Sequence, residues 1–170
     1  MNDTTTWQLA VTQARQFLEN PPADTWLALS GMLDTIVRLK YDLVEMALEA
    51  GSSGICRECS GECCRFGKYH LTILDVLACL KDGTAIPEPD FDTPPNCPYG
   101  TTAGCSLSAG YRPMTCAIFN CQQIEDRMTS RDRDYFHKLE QELRATIAET
   151  EKLTGQRLNQ PLLLSIMTTA

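Results

Sequence analysis

Nine of the 170 residues are cysteine, and eight of them fall into two tight groups. The first group is Cys56, Cys59, Cys63 and Cys64, in the string ICRECSGECCRFG. The second is Cys97, Cys105, Cys116 and Cys121, in NCPYGTTAGCSLSAGYRPMTCAIFNC. Soft thiolates at short spacing suit zinc, iron–sulfur clusters and copper(I). Cys56-x-x-Cys59 is a knuckle in which two thiols converge on one ion or one cluster corner, and Gly61 allows the tight turn after it. Cys63 and Cys64 are adjacent, and adjacent side chains usually diverge, so the easier arrangement is one thiol on each of two centres, or one ligand beside a free thiol. Eight thiols fit two four-thiolate centres by count. They fit equally well one such centre plus four cysteines with other work, and the sequence leaves both counts open.

All-cysteine ligation fits either Zn(Cys)4 or a [4Fe–4S] cluster. The ferredoxin run C-x2-C-x2-C-x3-C-P is absent. So is the zinc-ribbon pairing of two C-x2-C knuckles across a dozen or more residues. No strand pattern precedes Cys56, which excludes a thioredoxin-like redox motif. Cations flank the thiols: Arg57, Arg65, Lys68 and Arg112. Four thiolates around a divalent core leave a net negative charge, which Arg57, Arg65 and Arg112 would offset while donating hydrogen bonds to sulfur. Phe66, Tyr69, Tyr99, Tyr111 and Phe119 interleave with the thiols and either screen a centre from water or pack an irregular stretch. His70 is the nearest histidine and reads as a surface or core-edge residue. Cys79 stands alone in TILDVLACLKDG, an apolar helical run, and reads as a buried core thiol and not a ligand.

The spaced set Cys56-x2-Cys59-x3-Cys63-Cys64, then Cys97, Cys105 and Arg112-Pro113-x2-Cys116-x2-Phe119, resembles a cysteine-cluster family of the CxxCxxxCC type. Members of that family are described as zinc- or iron-chelating and as iron–sulfur-cluster-containing proteins. The resemblance covers residues 55 to 122. It departs from the family pattern at Pro98-Tyr99, where members carry Phe-Leu, and in the respaced stretch from Cys105 to Tyr111. Cys121 is the least characteristic of the eight. What the resemblance implies is metal binding, with no settled reaction.

No Ser–His–Asp set, Gly-rich phosphate loop or HExxH motif is present, so the sequence assigns no catalytic residue and leaves open whether the chain is an enzyme. The leading expectation is an iron–sulfur protein that transfers electrons or senses redox state. The alternatives are a zinc-stabilised domain that binds a protein partner, and a metal delivery protein.

The elements that must position these thiols are helical. Residues 6–18 form a first helix with Trp7, Ala10, Val11, Ala14, Phe17 and Leu18 at helical spacing, stopped by Asn20-Pro21-Pro22. Asp24 caps a long second helix to residue 50 with the stripe Trp26, Leu29, Leu33, Ile36, Val37, Val44 and Ala47. The Gly51–Gly54 stretch ends it, and the first cysteine group follows in irregular chain. Thr72-x-x-Asp75 reads as a capping box opening a helix to about Lys81. Residues 83–111, rich in Pro, Gly and Asp, form a connection that metal ligation would order. Pro113 opens a helix carrying Cys116, Phe119, Ile124 and Met128. Asp132 or Asp134 opens the last long helix, 132–154, with Phe136, Leu139, Leu143, Ile147 and Leu153 on one face and Gly155 closing it. The apolar run PLLLSIM docks on the body or serves a partner. The expected fold is mainly α: residues 1–170 as a single small helical domain with an irregular cysteine-rich metal-binding centre at 55–122.

Hydrophobic residues make up 43% of the chain and charged residues 22%, enough for a real core without cysteine staples. The formal net charge of −7 repels a nucleic-acid backbone. No segment nears the continuous apolar length of a membrane span. The N-terminal residues lack a basic stretch followed by an apolar run, which predicts a cytoplasmic chain whose thiols stay reduced. A disulfide framework is the rival, weakened by the odd cysteine count.

Overall fold

The computed structural model describes residues 2–20, 23–59, 62–64, 66–92, 97–102 and 104–165. Pro21, Pro22, Gly61, Arg65, Pro94, Pro95, the side chain of Asp24 and the tail beyond Ser165 lie outside the described residues. The architecture is mainly α, as the apolar periodicity predicts. Helix α1 (Asp3–Glu19), α2 (Ala23–Glu49), α3 (Ser52–Glu58), α4 (Ile73–Lys81), α5 (Met114–Ile118), α6 (Gln122–Glu125), α7 (Ser130–Thr154) and α8 (Leu162–Ser165) follow in order. One hairpin, β1 (Gly100–Thr101) with β2 (Gly104–Cys105), and three 3-10 turns at Glu62–Cys64, Gly67–Tyr69 and Ala109–Tyr111 complete it.

The core is built on α2. Its positions Leu29, Leu33, Ile36, Leu39, Leu43 and Val44 are buried. Helix α7 lies along it and contributes Phe136, Leu139, Leu143 and Ile147. Burying each such side chain stabilises the fold by about 1.5–3 kcal/mol before ordering costs. The other flank of the core is α4, packed between α1 and α2, with Leu74, Val76, Leu77, Ala78 and Cys79 buried. Cys79 is therefore a core thiol, as its place in the apolar run predicts. Burial, followed by the charge of Asp75, pushes its pKa up to about 12.

The ends of the elements follow local chemistry, with four corrections. Thr72 and Asp75 form the capping box predicted for α4. Helix α2 starts at Ala23, so Asp24 lies in its first turn and not at the cap. Helix α7 is capped by Thr129, with Asp132 returning the bond at the third position, so Asp132 is half of a capping box and not the cap itself. Gly51 alone turns the chain out of α2, in the left-handed region at φ 86°, where a Cβ would also meet the Arg127 guanidinium at 2.7 Å. Ser52-Ser53-Gly54 then opens α3, so Cys56 sits on a helix whose Ile55 is buried, and not in irregular chain. Finally, the helix expected from Pro113 to Met128 is two short helices. The chain goes extended at Phe119, and Cys121 becomes the N-cap of α6.

The C-terminal run docks on the body. The Leu162 amide donates to the Leu71 carbonyl at 2.7 Å and the Leu74 amide to the Leu158 carbonyl at 2.9 Å. Leu158, Leu162 and Leu163 are buried. This run is core packing, so its alternative use as a partner surface falls away for those three residues.

Candidate metal centre

The connection between α4 and α5 is anchored by protein contacts. Trp7 Nε1 donates to Tyr99 Oη at 3.1 Å in a buried bond that ties α1 to the residues just after Cys97. The Ser106 amide donates to the Tyr99 carbonyl at 2.8 Å, and the Asp90 amide to the Pro98 carbonyl at 2.8 Å. Tyr111 Oη donates to Asp82 at 2.9 Å, and Arg112 Nε to the Leu107 carbonyl at 3.2 Å. The first cysteine segment is anchored to the same helix: Lys68 pairs with Asp3 at 3.0 Å. Helix α1 thus holds both cysteine-bearing segments.

All nine cysteines are free thiols. Four of them, Cys56 on α3, Cys59 at its C-cap, Cys63 on the 3-10 turn and Cys121 at the start of α6, line one cavity of about 270 Å³, together with Ile55, Glu62 and Gln123. Helices α3 and α6 pack against each other there. The Cys59 thiol donates to the Cys56 carbonyl at 3.6 Å, which keeps the knuckle closed on itself. Arg133 Nη1 donates to the Glu125 carbonyl at 3.1 Å and the Met128 carbonyl at 3.3 Å, fixing the turn between α6 and α7. Burial raises the Cys56 pKa first; the charges of Cys63, Cys59 and Cys121 raise it further, and Arg112 opposes them.

Of the remaining thiols, Cys97 and Cys116 lie against the 3-10 turn at Gly67–Tyr69 and its C-cap, His70. Gly67 is buried against Cys97: a Cβ added there would lie 2.5 Å from Cys97 Sγ and 2.9 Å from its Cβ. His70 Nδ1 stands 3.3 Å from Cys116 Sγ. In the hairpin, Cys105 pairs with Gly100, whose amide donates to the Cys97 carbonyl at 2.9 Å. Burial raises the Cys97 pKa foremost, and the charge of Cys105 adds to it, against hydrogen bonds from the Tyr99 and Gly100 backbone. Cys116 keeps part of its surface in solvent, yet the protein packed around its thiol pushes the pKa up, and Cys105, Cys97, Cys64 and Asp75 push the same way. Cys64 is pushed up to about 12 by burial, then by Cys63 and Cys97, with Cys56 last.

The donor chemistry fits a soft metal: the eight thiols outside the core are partly or fully exposed. Among the described residues, no three His, Cys, Asp or Glu side chains stand close enough together to hold a single ion. Holding a metal therefore requires the thiols to draw inward, as in sites whose ligand sphere closes on binding.

The flanking residues divide. Arg112 is half-buried and its charge lowers the Cys56 pKa against the other causes. Arg57 is exposed at the end of α3, and among the described residues its side chain makes no hydrogen bond or ion pair. Arg65 lies outside them. Of the aromatic residues, only Tyr99 is buried; Phe66, Tyr69 and Phe119 are exposed and screen little. His70 is half-buried beside a thiol, and burial lowers its pKa, which keeps the ring neutral and available as a hydrogen-bond partner or ligand. By sequence it reads as a surface or core-edge residue, and its position six residues beyond Cys64 is the one signal of this placement. No helix among the described residues is long and apolar enough to cross a membrane. No family model, curated protein or solved structure matches the chain.

Proposed function

We propose that this is a metal-binding cysteine-cluster protein holding an iron–sulfur cluster in an electron-transfer or redox-sensing role. The observation that carries the proposal is the cavity lined by Cys56, Cys59, Cys63 and Cys121, four free thiols brought from α3, a 3-10 turn and α6 to one surface opening. A cluster core spreads its thiolates over several iron atoms and so needs more room than one ion. A site at the surface also suits exchange of electrons with a protein partner. Arg112 would lie against the negative charge of such a core, favouring the more negative reduced state. Cytoplasmic residence, where thiols stay reduced, belongs to the same proposal.

The test is voltammetry of the anaerobically purified chain. A reversible one-electron couple is expected, moving to more negative potential in Arg112→Gln. An intact iron centre with no reversible couple defeats the electron-transfer role. One observation favours zinc as a second reading: His70 beside Cys116 offers a nitrogen next to a thiol, the mixed donor set common in structural zinc sites. Stoichiometric zinc without iron would select a zinc-stabilised interaction domain, with the exposed Phe66 and Phe119 beside the thiols as its first partner residues to test.

A further inference from the structure

We infer that the eight clustered thiols form two four-thiol centres that meet at the neighbouring residues Cys63 and Cys64. One centre is Cys56, Cys59, Cys63 and Cys121. The other is Cys64, Cys97, Cys105 and Cys116, with His70 as the hydrogen-bond partner of Cys116. The inference deepens the metal proposal and rests on it.

The division starts at the adjacent pair. Cys63 and Cys64 lie on the 3-10 turn Glu62–Cys64. Successive residues on such a turn leave its axis about 120° apart, which favours a different ion for each of the two neighbouring thiols. Cys63 lines the cavity between α3 and α6, and Cys64 does not. None of the residues of the following Gly67–Tyr69 turn lines that cavity. Gly67 abuts Cys97, and His70, which follows the turn, reaches Cys116 at 3.3 Å. The hairpin register places Cys105 opposite Gly100, three residues from Cys97. None of Cys64, Cys97, Cys105 and Cys116 lines the first cavity.

The two sets interleave along the chain: each takes thiols from both cysteine groups. Loading either centre therefore staples residues 56–64 to the 97–121 segment, and loading both does so at two points.

The test removes thiols in pairs from the anaerobically purified full chain and counts iron and zinc per chain. Cys56→Ser with Cys121→Ser, and Cys97→Ser with Cys105→Ser, are each expected to halve the wild-type metal. The cross pair, Cys56→Ser with Cys105→Ser, is expected to remove all of it. An in-group pair that empties the chain, or one that leaves the metal untouched, overturns the division while leaving the metal proposal standing. A wild-type chain free of metal defeats the metal proposal itself. Far-UV circular dichroism checks that each variant keeps its helices. Should a double variant fail to fold, cobalt(II) titration of the metal-free wild type decides: two equivalents with thiolate charge-transfer absorption are expected, and saturation at one equivalent overturns the inference.

Discussion

Gly67→Ala tests how tightly the two cysteine-bearing segments are fitted together. Gly67 is buried in its 3-10 turn and has an ordinary negative φ, so alanine costs nothing in backbone strain. The added methyl carbon would sit 2.5 Å from Cys97 Sγ, 2.9 Å from its Cβ and 3.3 Å from its Cα. Non-bonded heavy atoms rest at about 3.5–4.0 Å, so the sulfur must retreat by roughly 1 Å or more. Rotating the Cys97 side chain does not cure this, because its Cβ is also too near. The hairpin backbone must shift, and overpacking of that kind costs about 1–3 kcal/mol. A metal site tolerates errors of only about 0.2 Å in ligand distance. Urea unfolding followed by circular dichroism should show the loss of stability, and elemental analysis should show metal lost from the centre containing Cys97, with the centre at Cys56 retained. A variant as stable as the wild type and fully loaded would refute the close fit of Gly67 on Cys97.

Three further outcomes are expected. Lys40 is wholly buried and pairs with buried Asp75 at 2.7 Å, and Asp75 also accepts from the Thr72 amide and hydroxyl; Asp75→Asn strands the Lys40 charge and should cost about 3–5 kcal/mol, recovered in large part by adding Lys40→Met, whereas a cost near zero in urea unfolding would remove the pair from the account. Cys79→Ala should leave metal content unchanged, and loss of metal in that variant would show Cys79 to be a ligand. The same variant reports a pH effect in metal-free protein: with Cys79 held up to about 12 in the fold against about 8.5 for a free thiol, the unfolded chain releases its proton first, so this contribution to stability is whole below pH ~8.5 and falls as pH rises toward 12. Unfolding midpoints measured from pH 7 to 10.5 should therefore decline less steeply in Cys79→Ala, and an identical decline would contradict the buried-thiol assignment.

Much of the helical frame was legible because its stripes are regular. The stripe Leu29, Leu33, Ile36 and Val44 marks the core face of α2, and extending it by one step reaches Lys40. The type of that lysine argues for solvent and its position for the core; only the tertiary placement of Asp75 reconciles the two. The Thr129-x-x-Asp132 box has the same form as Thr72-x-x-Asp75 and is readable in the sequence, with the threonine as the cap in place of Asp132 or Asp134. Helix α3 opposes its own composition: Ser-Ser-Gly is a poor helix start, and burial of Ile55 overrides it. Strands of two residues are too short for any alternation to register, which hid the hairpin at Gly100–Cys105.

For the site, the residue types and the eight positions were legible. The pairing of Cys121 with Cys56 was not. It depends on the chain going extended at Phe119 and restarting at Cys121, a break set by packing between α3 and α6 with no turn residue to announce it. The role of α1 was equally hidden: Trp7 and Asp3 reach Tyr99 and Lys68 across most of the fold.

The most direct test of the central proposal is to purify the full chain without oxygen and measure iron, zinc and acid-labile sulfide per chain alongside the visible spectrum. The expected protein is brown, with iron and sulfide in equal amounts and a sulfur-to-iron charge-transfer band that bleaches on reduction. Zinc in place of iron would contradict the iron–sulfur assignment while keeping the thiols as ligands, and a colourless chain with neither metal would contradict the metal centre altogether.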